Sequence, residues 1–255
     1  MKISTIIAKQ IAILFFILTS SNYADSLKII NKNDELVDIE FYKPINSPLF
    51  GDISKQNFTL SQIDSMFVSA DYMKRAMAAA LAANGKVADT VKCVELLVDA
   101  LAGELSNPFS DKMASEVSST ITEFLLEQYL YDFRVLLYKK GSGLIKPYFQ
   151  KSSGDLKTCL ILVAGLLGDK DVRDDIRNIY LESDSGFMRS QAIRVMNIFP
   201  DINDIPILKK ALKDEYYRVD KNGNEIRFIQ GNARGALLKL GFEPEEIEEM
   251  RMGKE

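Results

Sequence analysis

Helix endings recur in the second half of this 255-residue chain, and that recurrence narrows its architecture more than any other pattern in it. Leu167-Gly168, Ile198-Phe199 and Leu240-Gly241 each close an apolar helical stretch. The first two lie about 31 residues apart and the last two about 42, the length of a helix-pair repeat and of one lengthened by a short insert. The punctuation between them agrees. Helices are expected over Leu156 to Leu167, Val172 to Glu182 with Asp171 as cap, and Gly186 to Phe199 with Asp184 as cap and Pro200 as stop. Asp204 ahead of Ile205-Pro206 opens a helix to Lys213, Gly231 to Leu240 forms the next, and Phe242-Glu243-Pro244-Glu245 starts a last, acidic one. Helix pairs of this kind bury their apolar faces against their neighbours and enclose no central pocket.

The longer interval contains its own explanation. Asn222-Gly223 sits between two β-prone arms, the strongest short-range hairpin signal, so a β-hairpin is expected at 216–228. Upstream, helices begin near Leu60. Asp71 to Ala83 is rich in alanine and stops at Asn84-Gly85. Val87, Val91, Val94, Val98, Leu101 and Leu105 form one apolar stripe at steps of three and four, ended by Asn107-Pro108. A third pattern runs from Asp111 to Lys140, with Met113, Val117, Ile121, Phe124, Leu125, Tyr129 and Phe133 on one side and Gly141 as stop. It is long enough to accommodate an internal break. Residues 25–59 differ. Val37, Ile39 and Phe41 alternate with Asp38 and Glu40, a strand that Asn33-Asp34 turns against Leu27 to Ile30, before Pro44, Pro48 and Gly51 interrupt it. The expected organisation is an irregular arm over 25–59 with short strands, an N-terminal helical region over 60–151, and a repeat region over 152–255.

Residues 1–24 have the three parts of a cleaved secretory signal: Lys2 and Lys9, an apolar run from Ile11 to Leu18, and a small, polar exit ending at Ala24. Cleavage is expected after Ala24, with Ser21 as the competing site. The apolar run is shorter than the ~20 residues a spanning helix needs, which leaves an uncleaved anchor as the alternative. No cysteine lies near the exit, so a lipid anchor is not expected. Cleavage removes two lysines and no acid, taking the formal charge from −4 to about −6 and placing the protein in the periplasm or outside the cell with no membrane span. Export permits a disulfide between Cys93 and Cys159, but both sit in apolar helical patterns, where free buried thiols are the favoured alternative.

From about Leu156 to Gly241 the chain resembles bacterial HEAT-type repeats, related to those named after phycobilisome lyases. The residues carrying the likeness are Leu166-Leu167-Gly168-Asp169, Phe187-Met188-Arg189 with Ala192 and Ile193, Ala211-Leu212-Lys213-Asp214, and Asn232-Ala233-Arg234 with Ala236-Leu237-Leu238 and Leu240-Gly241. Departures are Phe199-Pro200 where Leu-Gly is usual, and the Arg-to-Ala step, three from Arg189 to Ala192 but two from Arg234 to Ala236. The resemblance implies an α-solenoid of HEAT-like helical hairpins, and with the β-hairpin insert and the irregular N-terminal arm read above the expected fold class is all-α. It also implies a protein-binding scaffold; a lyase-like enzyme accessory is the second implication.

Composition narrows the chemistry. Histidine is absent, which removes the Ser-His-Asp triad, the Cys-His pair and His-based zinc sites. An acidic balance offers no footprint for nucleic acid. Gly141-Ser142-Gly143 lacks the strand and lysine of a phosphate loop. Asp169, Asp171, Asp174 and Asp175 form an acidic cluster without the central glycine and closing glutamate of a calcium loop, so capping is the simpler reading. No pair among the many acids stands out for glycoside hydrolysis. No catalytic residue, metal or cofactor is therefore expected, and the chain is read as a non-enzyme whose partner is another protein. An immunity or inhibitor protein against a toxin or hydrolase is a sharper variant, and a structural envelope component a third. Candidate partner-surface residues are Arg173, Arg177, Arg189 and Arg194, as a groove for an acidic partner, and Tyr216 and Tyr217, with Phe228, as an aromatic patch. Against these stand ion pairs with neighbouring acids for the arginines and capping of the core's end for the aromatics.

Overall fold

The computed structural model describes residues 24–30, 36–42, 58–69, 72–83, 89–106, 115–219 and 224–253. The chain divides into two compact units: residues up to Gln56 with the Tyr216–Phe228 insert, and a helical unit formed by 57–215 and 229–255. The expected leader lies outside the described residues apart from Ala24, which opens the first strand.

In the first unit, β1 (Ala24–Ile30) pairs antiparallel with β2 (Leu36–Tyr42), placing Leu27 opposite Ile39 and Ile29 opposite Val37. The insert contributes β3 (Arg218–Val219) and β4 (Glu225–Ile226), antiparallel, with Arg218 opposite Ile226. Both expected turns, Asn33-Asp34 and Asn222-Gly223, fall outside the described residues.

The second unit is helical. Its elements are α1 (Leu60–Phe67), α2 (Tyr72–Ala83), α3 (Thr90–Ser106), α4 (Ser115–Leu137), α5 (Lys146–Lys151), α6 (Gly154–Leu166), α7 (Arg173–Glu182), α8 (Gly186–Ile198), α9 (Ile205–Ala211), α10 (Phe228–Lys239) and α11 (Pro244–Met252). Single 3-10 turns stand at Ser142–Leu144, Lys170–Val172 and Ile202–Asp204. Helix α4 packs on α2 and α6, and α6 on α8, so every second helix touches the next. Between them, α3 packs on α2, α4 and α6, and α7 on α6 and α8. Every residue of α6 from Cys159 to Leu166 is buried, as expected of a helix that is apolar all round. Gly165 allows a close approach: a Cβ there would meet Ile176 Cδ1 at 2.9 Å and Val195 Cγ1 at 3.1 Å.

The recurring helix ends have a common cause. After α6, the Asp169 amide donates to Ala164 O (3.0 Å) and the Gly168 amide to Gly165 O (2.9 Å), with Gly168 at φ +79°. After α10, the Phe242 amide donates to Leu237 O and the Gly241 amide to Leu238 O, both at 3.1 Å, with Gly241 at φ +94°. Each is a Schellman closure, which needs the left-handed conformation glycine adopts without a Cβ clash. At the third end, α8 has Phe199 in place of Leu-Gly, and its ring covers Gly168, 3.2 Å from where a Cβ would stand.

Several boundaries differ from those expected. Helix α4 is continuous over Ser115–Leu137 and Lys139 and Lys140 form the turn beyond it. The 3-10 turn and α5 occupy 142–151, a stretch without apolar periodicity. Helix α10 starts at Phe228, ahead of the weak helix former Gly231. The three expected caps move as well. Asp169, not Asp171, accepts the amide that opens the 3-10 turn at Lys170–Val172; Ser185, not Asp184, caps α8; and Asp201, not Asp204, caps the turn before α9.

Candidate functional site

The sequence candidates on the helices are held by acids of the same unit. Asp204 is fully buried and lies between two guanidinium groups: Arg173 Nη2 donates to Oδ2, and Arg177 Nε donates to Oδ1 at 2.7 Å. Arg177 also reaches the exposed Asp174 at 2.6 Å. Release of Asp204 from capping has a physical reason, because Asp201 supplies the cap and frees the buried carboxylate for charge-assisted bonds. Burial draws the Arg173 guanidinium below its ordinary range, opposed by Asp201, while Arg177 adds to the lowering.

Arg189, the fourth residue of α8, forms a clasp. Its Nε and Nη2 donate to Asp214 at 3.0 and 3.3 Å, and its Nη1 donates to the Ser183 carbonyl at 3.0 Å, just past the end of α7. Hydrogen bonding to Asp214 raises Arg189. The same device recurs in the first half. Arg75, fourth in α2, donates through Nε and Nη2 to Glu104 of α3, the latter at 3.1 Å, and through Nη1 at 2.7 Å to the Ser69 carbonyl just past α1. In both clasps the carbonyl lies six residues before the arginine. Sequence reasoning missed the first clasp. The available signal was the step from Arg75 to Ala78 and Ala79, which equals that from Arg189 to Ala192 and Ile193.

Arg194 is placed apart from the other three, 3.7 Å from Glu127 of α4. The acidic cluster also disperses into local roles. Asp169 takes Ser142 Oγ, Lys146 Nζ at 2.9 Å and the Asp171 amide at 3.0 Å. Burial pushes its carboxyl up, but those bonds outweigh it and hold Asp169 below the usual carboxylate range. Asp171 pairs with Lys146 at 2.8 Å, while Asp174 and Asp175 are exposed in the first turn of α7, where the helix dipole favours them.

The insert gathers the aromatic candidates. The Arg227 guanidinium carbon lies 5.7 Å from the Tyr217 ring centroid, and that of Arg218 lies 5.7 Å from the Phe228 centroid, within cation-π range. Arg218 Nε donates to the Tyr216 hydroxyl at 3.1 Å, and Arg227 pairs with Glu225 at 2.7 Å. Tyr217 is 45% exposed, Phe228 39% and Ile226 38%. At the insert's base, Gln230 Nε2 donates to the Asp214 carbonyl at 2.9 Å, joining the two chain ends that flank it.

Cys93 and Cys159 are both free and buried, and burial raises both thiols, Cys93 to about 11. Among the described residues no group of three or more Cys, Asp or Glu is placed to hold a metal ion, and no helix is long and apolar enough to cross a membrane. No family model, curated protein or solved structure matches the chain.

Proposed function

We propose that this chain is an exported, non-catalytic protein-binding scaffold, an α-solenoid of HEAT-like hairpins that works in the periplasm or outside the cell. The arginine clasp carries the reading. The same three-point tie occurs at Arg75 and at Arg189, each joining the end of one helix, the start of the next and an acid further along the chain. In a stack of equivalent helix pairs each repeat meets its neighbour in the same way, and a recurring tie fits that arrangement. Contacts between every second helix from α2 to α8 support the same arrangement. Leader-like residues 1–24 support export.

The partner surface in this reading is the insert. Arg173, Arg177 and Arg189 already hold buried or nearly buried acids, whereas Tyr217, Ile226 and Phe228 remain substantially exposed beside two guanidinium groups. Tyrosine and arginine are the residue types that dominate binding hot spots. The test is cross-linking capture from native envelope with the wild-type chain and with a Tyr217→Ala/Arg227→Ala variant of unchanged circular dichroism. One reproducible protein partner, lost with the variant, is expected. Absence of any partner overturns the scaffold reading, and equal recovery by the variant moves the contact away from the insert.

A further inference from the structure

Asp132 of α4 is fully buried, and among the described residues the side chain bonded to it is Gln128 one turn earlier, whose Nε2 donates at 3.0 Å to each carboxylate oxygen. No cation pairs with it among the described residues. Of the helices packed against α4, α2 brings Arg75 and α3 brings Glu104, and these are committed to each other. The other charged groups of α2 and α3, Lys74, Lys92, Glu95 and Asp99, are exposed or half-buried, as are Asp155 and Lys157 of α6, which otherwise buries apolar residues. Arg194 of α8 meets Glu127. On α4 itself, Tyr129 and Tyr131 are held neutral mainly by burial, with Asp132 adding to it, and Arg134 acts on Tyr131. An ionised carboxylate in this position has one neutral amide, and no charge among the described residues, to offset its desolvation.

We propose that Asp132 is a pH-responsive element of the helical unit, packed as the neutral acid against Gln128 and stabilising α4 most in acid. Burial, only partly opposed by the Gln128 amide, holds its carboxyl well above the usual range. Between the unfolded value near ~4 and the raised folded value, the folded chain keeps a proton that the unfolded chain has lost. Stability from this group is therefore complete below pH ~4 and declines as pH rises toward the folded value. The chain has no histidine to mask the effect. Ordinary carboxylates titrate below about 5 and thiols and lysines above about 8, which leaves the α-amino group as the other ordinary titrator in the window.

The measurement is urea unfolding of the full chain, followed by circular dichroism, at unit steps from pH 5 to 8. The wild-type unfolding constant is expected to rise by up to tenfold per pH unit, and Asp132→Asn is expected to abolish that rise. A flat wild-type profile overturns the proposal, as does an unchanged slope in the variant. If Asp132→Asn does not fold, hydrogen exchange of the wild type decides: α4 protection, corrected for intrinsic exchange, falls between pH 5 and 8 or the proposal fails.

Discussion

Two fully buried carboxyl groups in the helical unit are held in opposite ways. Asp204 lies between Arg173 and Arg177 and is compensated twice, whereas Asp132 has one amide and, among the described residues, no cation. The same arginine clasp occurs in both halves of the helical unit, Arg189 on Asp214 and Arg75 on Glu104, so the contrast is not one of overall construction. The difference lies in what the acid's neighbours donate. Guanidinium groups on α7 project toward the turn before α9 and stabilise a charge there. At Asp132 the donor is a neutral amide, and burial favours the protonated acid instead. Burial alone therefore does not fix the charge of an acid; the donors reaching it do.

The largest test of this contrast is Asp204→Ala. It takes the buried carboxylate from Arg173 and leaves Arg177 with the exposed Asp174 alone, and the expected cost is about 3–5 kcal/mol, read from urea midpoints at pH 7. A loss below about 1 kcal/mol would mean that Asp204 is no better compensated than Asp132. Next come Arg75→Ala and Arg189→Ala, each expected to cost about 2 kcal/mol through charge-assisted bonds and the carbonyl they satisfy. Matched losses sharpen the equivalence of the two clasps, and a mismatch beyond about 2 kcal/mol breaks it. The smallest effect belongs to Tyr129→Phe. The Tyr129 hydroxyl is buried beside the Arg75–Glu104 pair with no hydrogen-bond partner among the described residues, so its removal is expected to change stability by less than about 1 kcal/mol, toward gain. A clear loss would reveal a bond that the hydroxyl makes in solution.

Much of the fold is legible from periodicity and stops. The Leu-Gly ends, the α6, α7 and α8 spans and the pairing of β1 with β2 follow from alternation, apolar steps and glycine, while the strands' register does not. Caps were less legible, because several acids and serines crowd each helix start and the choice depends on which one tertiary contacts recruit. Asp204 is the clear case: its sequence context is that of a cap, but two arginines from the preceding helix claim it. Asp132 carried no local signal, since an acid in a helical pattern resembles a solvated residue until its neighbours are known. The clasp at Arg75 was obscured by the alanine-rich run around it, which lacks the surrounding residues that marked Arg189.

The bond from Gln230 to the Asp214 carbonyl fastens together the two points where the insert leaves and rejoins the helices. Closing a longer loop across a pinned base costs little, about 0.6 kcal/mol for each doubling of length. The segment between those points is thus free to vary in length and sequence while α9 and α10 remain tied. Descendants of this chain could acquire new binding preferences by exchanging roughly a dozen residues, and an engineer could graft foreign peptides at the same place.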